Sequence, residues 1–209
     1  MPVSNTWIVK LGGAMLLADE LPAWLSACSA SASEGPRCVI VAGGGALADQ
    51  VRALQARWGF DDRAAHELAL ATMRLNARLL QSLAPRLASC EVQLEAELAN
   101  YRSGALLWRP PEPFAPVALP ASWAVTSDSI ALWLAQVLSA RALLLVKSLA
   151  PAQLQATSAA SLAAAGVVDS HFPVLLAATP LPVRLISKAN VAEFAHGLQC
   201  GVLPGVAVS

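Results

Sequence analysis

The sequence predicts an α/β fold, a mainly parallel open sheet covered on both faces by helices, and two observations carry that expectation. Trp7 to Leu11 and Val39 to Ala42 are apolar runs, broken only by Lys10, that close in Gly12-Gly13 and Gly43-Gly44-Gly45. Unalternating apolar strands are the mark of burial on both faces, as in parallel sheets. Segments of helical spacing then alternate with further short apolar runs, the rhythm that builds βαβ units.

Taken in order, the strand at Trp7 is followed by a helix over Met15 to about Ala30, carrying Leu16, Leu17, Leu21, Trp24 and Leu25, and a small-residue loop over Ser29 to Pro36 leads to the second strand. After the three glycines, Leu47, Val51, Leu54 and Trp58 recur at i, i+4, i+7 and i+11, one face of a helix that Gly59 is placed to end. A long helix follows from about Asp62 to Ala88 with two apolar stripes, Leu68, Leu75 and Leu79 on one and His66, Leu70, Met73, Ala77 and Leu80 on the other. Two stripes imply burial on two sides, and Pro85 is expected to kink or end the helix. Ala105 to Trp108 reads as a strand, and the five prolines between Arg109 and Pro120 make a loop. From Ser127 a helix turns Ile130, Trp133, Leu134, Val137 and Leu138 inward. Leu143 to Val146 and Val183 to Ile186 are strands, and a helix spans Asn190 to Leu198.

The 209 residues suit a single domain, 1–209, with no linker composition inside it. Apolar residues make up 56% and charged ones only 13%, against a usual charged share of about 25%, so disorder is excluded and little charge remains to coat the surface. That scarcity, with the two-striped helix, predicts a homo-oligomer, at least a dimer. Fourteen basic and fourteen acidic residues cancel, which leaves no field for gathering nucleic acid or anionic lipid. Cys28, Cys38, Cys90 and Cys200 are scattered without CxxC or CxxH, so neither a disulfide framework nor a metal site is expected. With no signal peptide and no apolar run near the roughly 20 residues of a membrane span, the expected location is the cytoplasm.

Ligands of parallel α/β folds bind beyond the carboxyl ends of the strands, where Lys10, both glycine turns and Lys147 fall. Gly43, Gly45 and Ala48 formally satisfy G-x-G-x-x-G/A, but the acidic residue that a dinucleotide site wants at the end of a second strand is missing, and no GxxxxGK[ST] occurs. What remains is two strand-to-helix glycine turns, each able to point backbone N–H groups at an anion, although glycine also simply makes tight turns. Lys10 favours the anion, because a charge in an apolar strand is costly to bury unpaired. Thr126-Ser127-Asp128-Ser129 opens a helix with more polar residues than one N-cap requires, and Asp128 can hold a lysine ammonium.

Val9-Lys10-Leu11-Gly12-Gly13, Val39 to Gly45 with Ala48-Asp49 and Val51-Arg52, and Thr126 to Ala131 resemble, in order, the signatures of the amino acid kinase superfamily. Ala65-His66-Glu67-Leu68, Ser122 to Val125 and Val168 to Pro173 look like those of one branch, the (aminomethyl)furanylmethyl phosphate kinases of methanofuran-type cofactor biosynthesis. The resemblance implies a three-layer αβα sandwich with about eight strands, the acceptor over the N-terminal half and ATP with Mg²⁺ over the C-terminal half. It implies that Lys10 neutralises the transferred phosphoryl group, that Asp128 orients lysines, and that Gly12 and Gly13 cradle nucleotide phosphates. It places the acceptor's anion on Gly43, Gly44 and Gly45, with His66, Thr126 and Ser127 around it.

The chain departs from the family pattern where strands end on the nucleotide side. An Asp-rich turn is replaced by Val146-Lys147-Ser148-Leu149-Ala150-Pro151, an Asn-Gly by Ser187-Lys188-Ala189-Asn190 and a Gly-Thr by Gly205-Val206. Lys147, with Ser148 beside it at the phosphates, is the expected second cation, and Lys188 is the alternative. The expected reaction is conversion of a small phosphate monoester to its diphosphate. Alternatives are a kinase of a carboxylate or another phosphate, and a noncatalytic binding protein of the same fold. Arg52 lies about two turns into its helix, a long reach for a carboxylate clamp, which favours the phosphate acceptor.

Overall fold

The computed structural model describes residues 4–30, 35–90, 105–155, 157–178 and 180–209. The expected loop at 29–36 and the Cys90 side chain lie partly or wholly outside them. In chain order the elements are β1 (Ser4–Leu11), a 3-10 turn (Gly13–Leu17), α1 (Leu21–Ser29), β2 (Arg37–Ala42), α2 (Gly45–Trp58), α3 (Asp62–Leu83), β3 (Ala88–Cys90) and β4 (Ala105–Trp108). They continue with α4 (Ser127–Val137), β5 (Ala140–Lys147), a 3-10 turn (Pro151–Gln153), α5 (Ala159–Ala164), α6 (Phe172–Ala178), β6 (Val183–Ser187), α7 (Val191–Cys200) and β7 (Val206–Val208).

The strands form one sheet in the order β3-β4-β2-β1-β5-β6-β7, seven strands among the described residues, and only β7 runs antiparallel to its neighbour. The α/β expectation therefore holds. Successive strand residues point to opposite faces, and both faces are covered. Ile8, Val41, Leu143 and Leu145 pack with α4 in one apolar core, whereas Trp7, Val9, Ile40 and Leu144 pack with α1 and α7 in the other. Lys10 shares the parity of Ile8 and so faces α4. β1 is the strand from which the chain winds outward both ways, and Lys10 pairs in register with Val41 on one side and Leu145 on the other.

Several element boundaries differ from expectation, each for a local reason. The helix expected over Met15 to Ala30 is two pieces, because Pro22 lacks an N–H and its ring would strike the carbonyl four residues back; it sits instead in the first turn of α1. The long helix stops at Leu83 rather than Ala88, since Pro85 pushes Ala84 out of helical geometry to φ −132°, ψ 76°. On α3 one stripe is buried and the other is not: Leu70, Met73, Ala77 and Leu80 are in the core, while Leu68, Leu75 and Leu79 are exposed. On α2 only Val51 is buried, and Leu47, Leu54 and Trp58 face outward. On α4, Ile130, Leu134 and Leu138 are inward, but Val137 is exposed. No helix among the described residues is long and apolar enough to cross a membrane.

Candidate active site

At the carboxyl end of the sheet, adjacency of β1 and β5 brings Lys10 and Lys147 onto one face, where the first turn of α4 delivers Asp128 between them. Lys10 Nζ lies 2.8 Å from Asp128 Oδ1. Lys147 Nζ donates to both carboxylate oxygens of Asp128 at 2.9 Å and also to the Val167 carbonyl. Lys10 and Asp128 are buried at 4% and 5% exposure, so these charges interact in a medium where Coulomb terms are strong. Burial by itself would raise the Asp128 carboxyl, but the two ammonium groups outweigh it and hold the group below the usual carboxylate range. Burial, then the charge of Lys10, pulls Lys147 down to about 8 against the opposing pull of Asp128. Two cations on one carboxylate leave the trio with a net positive charge.

The glycine turns at the ends of β1 and β2 touch. A Cβ on Gly13 would stand 2.2 Å from the Gly45 Cα, and Gly45 itself has φ +56°, so side chains are excluded by the packing of one turn against the other. The Gly12 N–H points to the Val146 carbonyl at 3.4 Å and the Gly43 N–H to the Leu11 carbonyl at 2.9 Å, so these two amides are engaged within the sheet. Gly44 and Gly45 differ. Buried Asn76 donates Nδ2 to the carbonyls of Gly43 at 2.7 Å and Gly44 at 2.8 Å. In a planar trans peptide the N–H points opposite to the C=O, so the N–H groups of Gly44 and Gly45 are turned away from Asn76 at the open start of α2, where no intrahelical acceptor exists.

Gly44 and Gly45 line a cavity of about 280 Å³, together with Arg52, His66, Trp123 and Ser127. Thr126 lines it as well. Arg52, expected to have a long reach to the site as a carboxylate clamp, stacks its guanidinium 4.3 Å from the Trp123 ring centre and pairs with Asp49 at 3.1 Å. His66 is buried at 7% exposure, and burial lowers its pKa against the charge of Glu67 and a hydrogen bond to the Ser122 backbone, which keeps the ring neutral near pH 7. Its neutral ring forms part of the wall between this cavity and a second one of about 580 Å³ under the proline-rich loop, which Phe114, Pro116 and Leu119 line.

Beyond β5 and β6 the turns are tied by side chains. Ser187 Oγ donates to the Leu149 carbonyl at 2.6 Å, and Lys188 pairs with Glu20 at 2.9 Å. Trp24 Nε1 donates to the Lys188 carbonyl at 2.7 Å. Lys188 is thus held toward α1, and Lys147 is the second cation on Asp128. Ser148 is exposed just past the end of β5. No cluster of three or more His, Cys, Asp or Glu side chains that could hold a metal ion occurs among the described residues.

Sequence reasoning missed Asn76 and Asp169. Asn76 carried a signal, a polar residue flanking the buried Met73, Ala77 and Leu80 of α3. Asp169 lies in the Val168 to Pro173 segment that carries the branch resemblance, but its role was not legible, because its partners Thr126 and Ser129 lie some forty residues earlier.

The model of the amino acid kinase family matches residues 5–150, which include both glycine turns and the lysine–aspartate trio. The chain belongs to the amino acid kinase family. No curated protein matches it in sequence. Among solved structures, this family member superposes on a uridylate kinase from Archaeoglobus fulgidus (17% identity, TM-score 0.70, 98% of this chain and 100% of that one). It also superposes on a UMP kinase from Bacillus anthracis (15% identity, TM-score 0.69, 98% and 96%). The aspartate kinase from Synechocystis is matched over 39% of its own length (17% identity, TM-score 0.68, 97% of this chain). At these identities the likeness shows the fold, and family membership supports a phosphotransferase.

Proposed function

We propose that this family member transfers the γ-phosphoryl group of ATP to a small phosphate monoester, an (aminomethyl)furanylmethyl phosphate, giving its diphosphate in methanofuran-type one-carbon cofactor biosynthesis. The observation that carries the reading is the buried Lys10–Asp128–Lys147 trio beside the outward amides of Gly44 and Gly45. Phosphoryl transfer needs little covalent chemistry from the protein and much positioning and charge compensation. The acceptor's phosphate takes the Gly44 and Gly45 N–H groups at the start of α2, with His66, Thr126, Ser127 and the Arg52–Trp123 stack around the rest of it. An acceptor oxygen bonds to the γ-phosphorus as the bond from that phosphorus to the β–γ bridging oxygen breaks, and ADP leaves. Lys10 and Lys147 face the charge spread over the transferred group, and Asp128 fixes both ammonium groups before it arrives.

The donor's phosphates lie over Gly13, Ser148 and Lys147 in this reading, and Gly12 contributes its fold rather than its N–H. Asp128 already serves two lysines, so Mg²⁺ would be held by the phosphates and would supply charge neutralisation there. The choice of furan ester rests on the resemblance around His66, Ser122 to Val125 and Val168 to Pro173.

One observation favours a second reading. Arg52 lines the cavity, and a guanidinium there would also clamp a carboxylate, which makes an acyl phosphate the product. Phosphorus NMR of reactions with MgATP and a panel of phosphomonoesters, beside carboxylic acids trapped with hydroxylamine, separates the two. New diphosphate resonances with the furan ester are expected; hydroxamate without any diphosphate would overturn the assignment.

We also propose a cytoplasmic homodimer, because the apolar stripe of α3, Leu68, Leu75 and Leu79, and Leu54 and Trp58 of α2 are exposed in the single chain. Sedimentation at micromolar concentration is expected to exceed the mass of a 21.7 kDa monomer.

A further inference from the structure

Asp169 stands outside the trio, yet its carboxylate receives five hydrogen bonds. Oδ2 accepts from the Thr126 N–H at 2.9 Å, the Thr126 hydroxyl at 2.8 Å and the Ser129 N–H at 3.0 Å. Oδ1 accepts from the Ser129 hydroxyl at 2.5 Å and the Phe172 N–H at 3.0 Å. The group is 8% exposed. Thr126 is the N-cap of α4, but its own oxygen reaches the Asp128 N–H only at 3.5 Å, so the first turn of α4 is capped chiefly from another part of the chain. Asp128 sits inside that turn, between the two residues Asp169 grips. Two residues before Asp169, the Val167 carbonyl accepts from Lys147 Nζ. One short segment therefore holds the residues on either side of Asp128 through the Asp169 carboxylate and one of the lysines through its backbone.

We infer that Asp169 is a positioning residue for the phosphotransfer site, fixing the first turn of α4 so that Asp128 meets both lysines, and supplying a second buried negative charge behind Lys147. This rests on the phosphotransfer reading of the trio. The charged groups facing Lys147 are Lys10 from β1, Asp128 from α4 and Asp169 from the turn before α6, and Asp169 acts with Asp128 to keep the ammonium protonated. A carboxamide cannot replace it. Whichever way Asn turned, its NH₂ would face a backbone N–H, of Phe172 on one side or of Thr126 and Ser129 on the other.

The test is Asp169→Asn, read in two ways. ¹³C NMR of labelled lysine, with the Lys147 signal assigned by its loss in Lys147→Arg, is expected to show the Lys147 midpoint moved to lower pH by about half a unit or more. Steady-state kinetics are expected to show kcat down about 10-fold to 100-fold, the scale of a misplaced site. A variant that merely melts at lower temperature, with the Lys147 midpoint and kcat unmoved, would overturn the inference. Should Asp169→Asn fail to fold, Ser129→Ala removes one bond to Oδ1 and keeps the charge; kcat is expected to fall several-fold with the Lys147 midpoint in place, and wild-type kcat would overturn the inference. A wild-type chain that phosphorylates no acceptor would break the kinase reading instead. The lysine titration needs no substrate and would still decide for or against Asp169.

Discussion

The two sides of the sheet's carboxyl edge are built by different means. At β1 and β2 the turns are closed by backbone against backbone, with Gly13 against Gly45 leaving no room for a side chain and Asn76 turning the peptides of Gly43 and Gly44. At β5 and β6 the turns are closed by side chains, through Ser187 to the Leu149 carbonyl and through Lys188 to Glu20. Backbone closure fixes the direction of amide dipoles and cannot rearrange without unfolding the turn. Of the two side-chain closures, the Lys188–Glu20 pair can exchange partners, since it is about one-third exposed and ion pairs near the surface are weak. In the proposed reaction the rigid side receives the acceptor on Gly44 and Gly45 and offers Gly13 to the donor's phosphates, the exchangeable side receives the rest of the nucleotide, and the trio between them belongs to both.

The comparison breaks most visibly if the trio is dispensable. Lys10→Met is expected to lower kcat by about 10²-fold to 10³-fold, the usual consequence of losing one preorganised charge contact, while the far-ultraviolet spectrum and cooperative melting persist. Asp128→Asn is expected to do at least as much, because the amide still lies in the first turn of α4 but leaves two ammonium groups facing each other. Near-normal turnover in either variant would remove the trio from the chemistry.

Next in size is pH. Lys147 stands at about 8, pulled down by burial and by Lys10, whereas Asp128 is held below the usual carboxylate range. The active pairing, Asp128 ionised and Lys147 charged, therefore persists through neutral pH and is lost as pH rises through Lys147. kcat/KM for ATP is expected to fall about tenfold per unit above roughly pH 8, since the free enzyme governs that quantity. Bound phosphate favours the ammonium, so the limb in kcat is expected at higher pH than the limb in kcat/KM. Coincident limbs, or none below pH 10, would mean Lys147 meets no anion in the reaction.

Much of this architecture was legible in the sequence, and the limits were physical. Apolar runs ending in glycine revealed β1 and β2 because burial on both faces leaves no alternation to confuse with helix, and Lys10 stood out as a charge in such a run. β3 and β7, at three residues each, are too short to show a period. The second stripe of α3 is apolar, yet hydrophobicity says only that a face is worth covering, and among the described residues Leu68, Leu75 and Leu79 stay exposed. Arg52 was misplaced because counting helical turns locates a Cα, whereas a long side chain stacked on Trp123 reaches back to the cavity. Asp169 lay inside a segment marked by resemblance, yet its capping role was not legible, because helix capping from some forty residues away leaves no local pattern.

The contrast between the two closures is sharpened by stability. Gly13→Ala places a Cβ against backbone atoms of Gly45 that have no side chain to swing aside, so a cost of about 1–3 kcal/mol, the range for overpacking a tight contact, is expected. Chemical denaturation reads this directly. An unchanged denaturation midpoint would show that the two glycine turns can part, and the rigid description of that side would fail.

The smallest effect is expected at Lys188, and it is the one that tests exchangeability. The Lys188–Glu20 pair is about one-third exposed on each side chain, and such pairs contribute about 0–1 kcal/mol, so Lys188→Ala should barely move the melting temperature. The kinetic consequence depends on where Lys188 goes when nucleotide arrives. If the ammonium leaves Glu20 for the donor's phosphates, Lys188→Ala raises KM for ATP several-fold, and Glu20→Gln lowers it slightly by freeing the lysine in advance. If Lys188 stays on Glu20 throughout, both variants leave KM alone, because Trp24 and the backbone of Lys147 still hold the turn through main-chain atoms that neither substitution touches. Opposite signs in the two variants would establish exchange; no change in either would make that side as fixed as the glycine turns and remove the distinction between them.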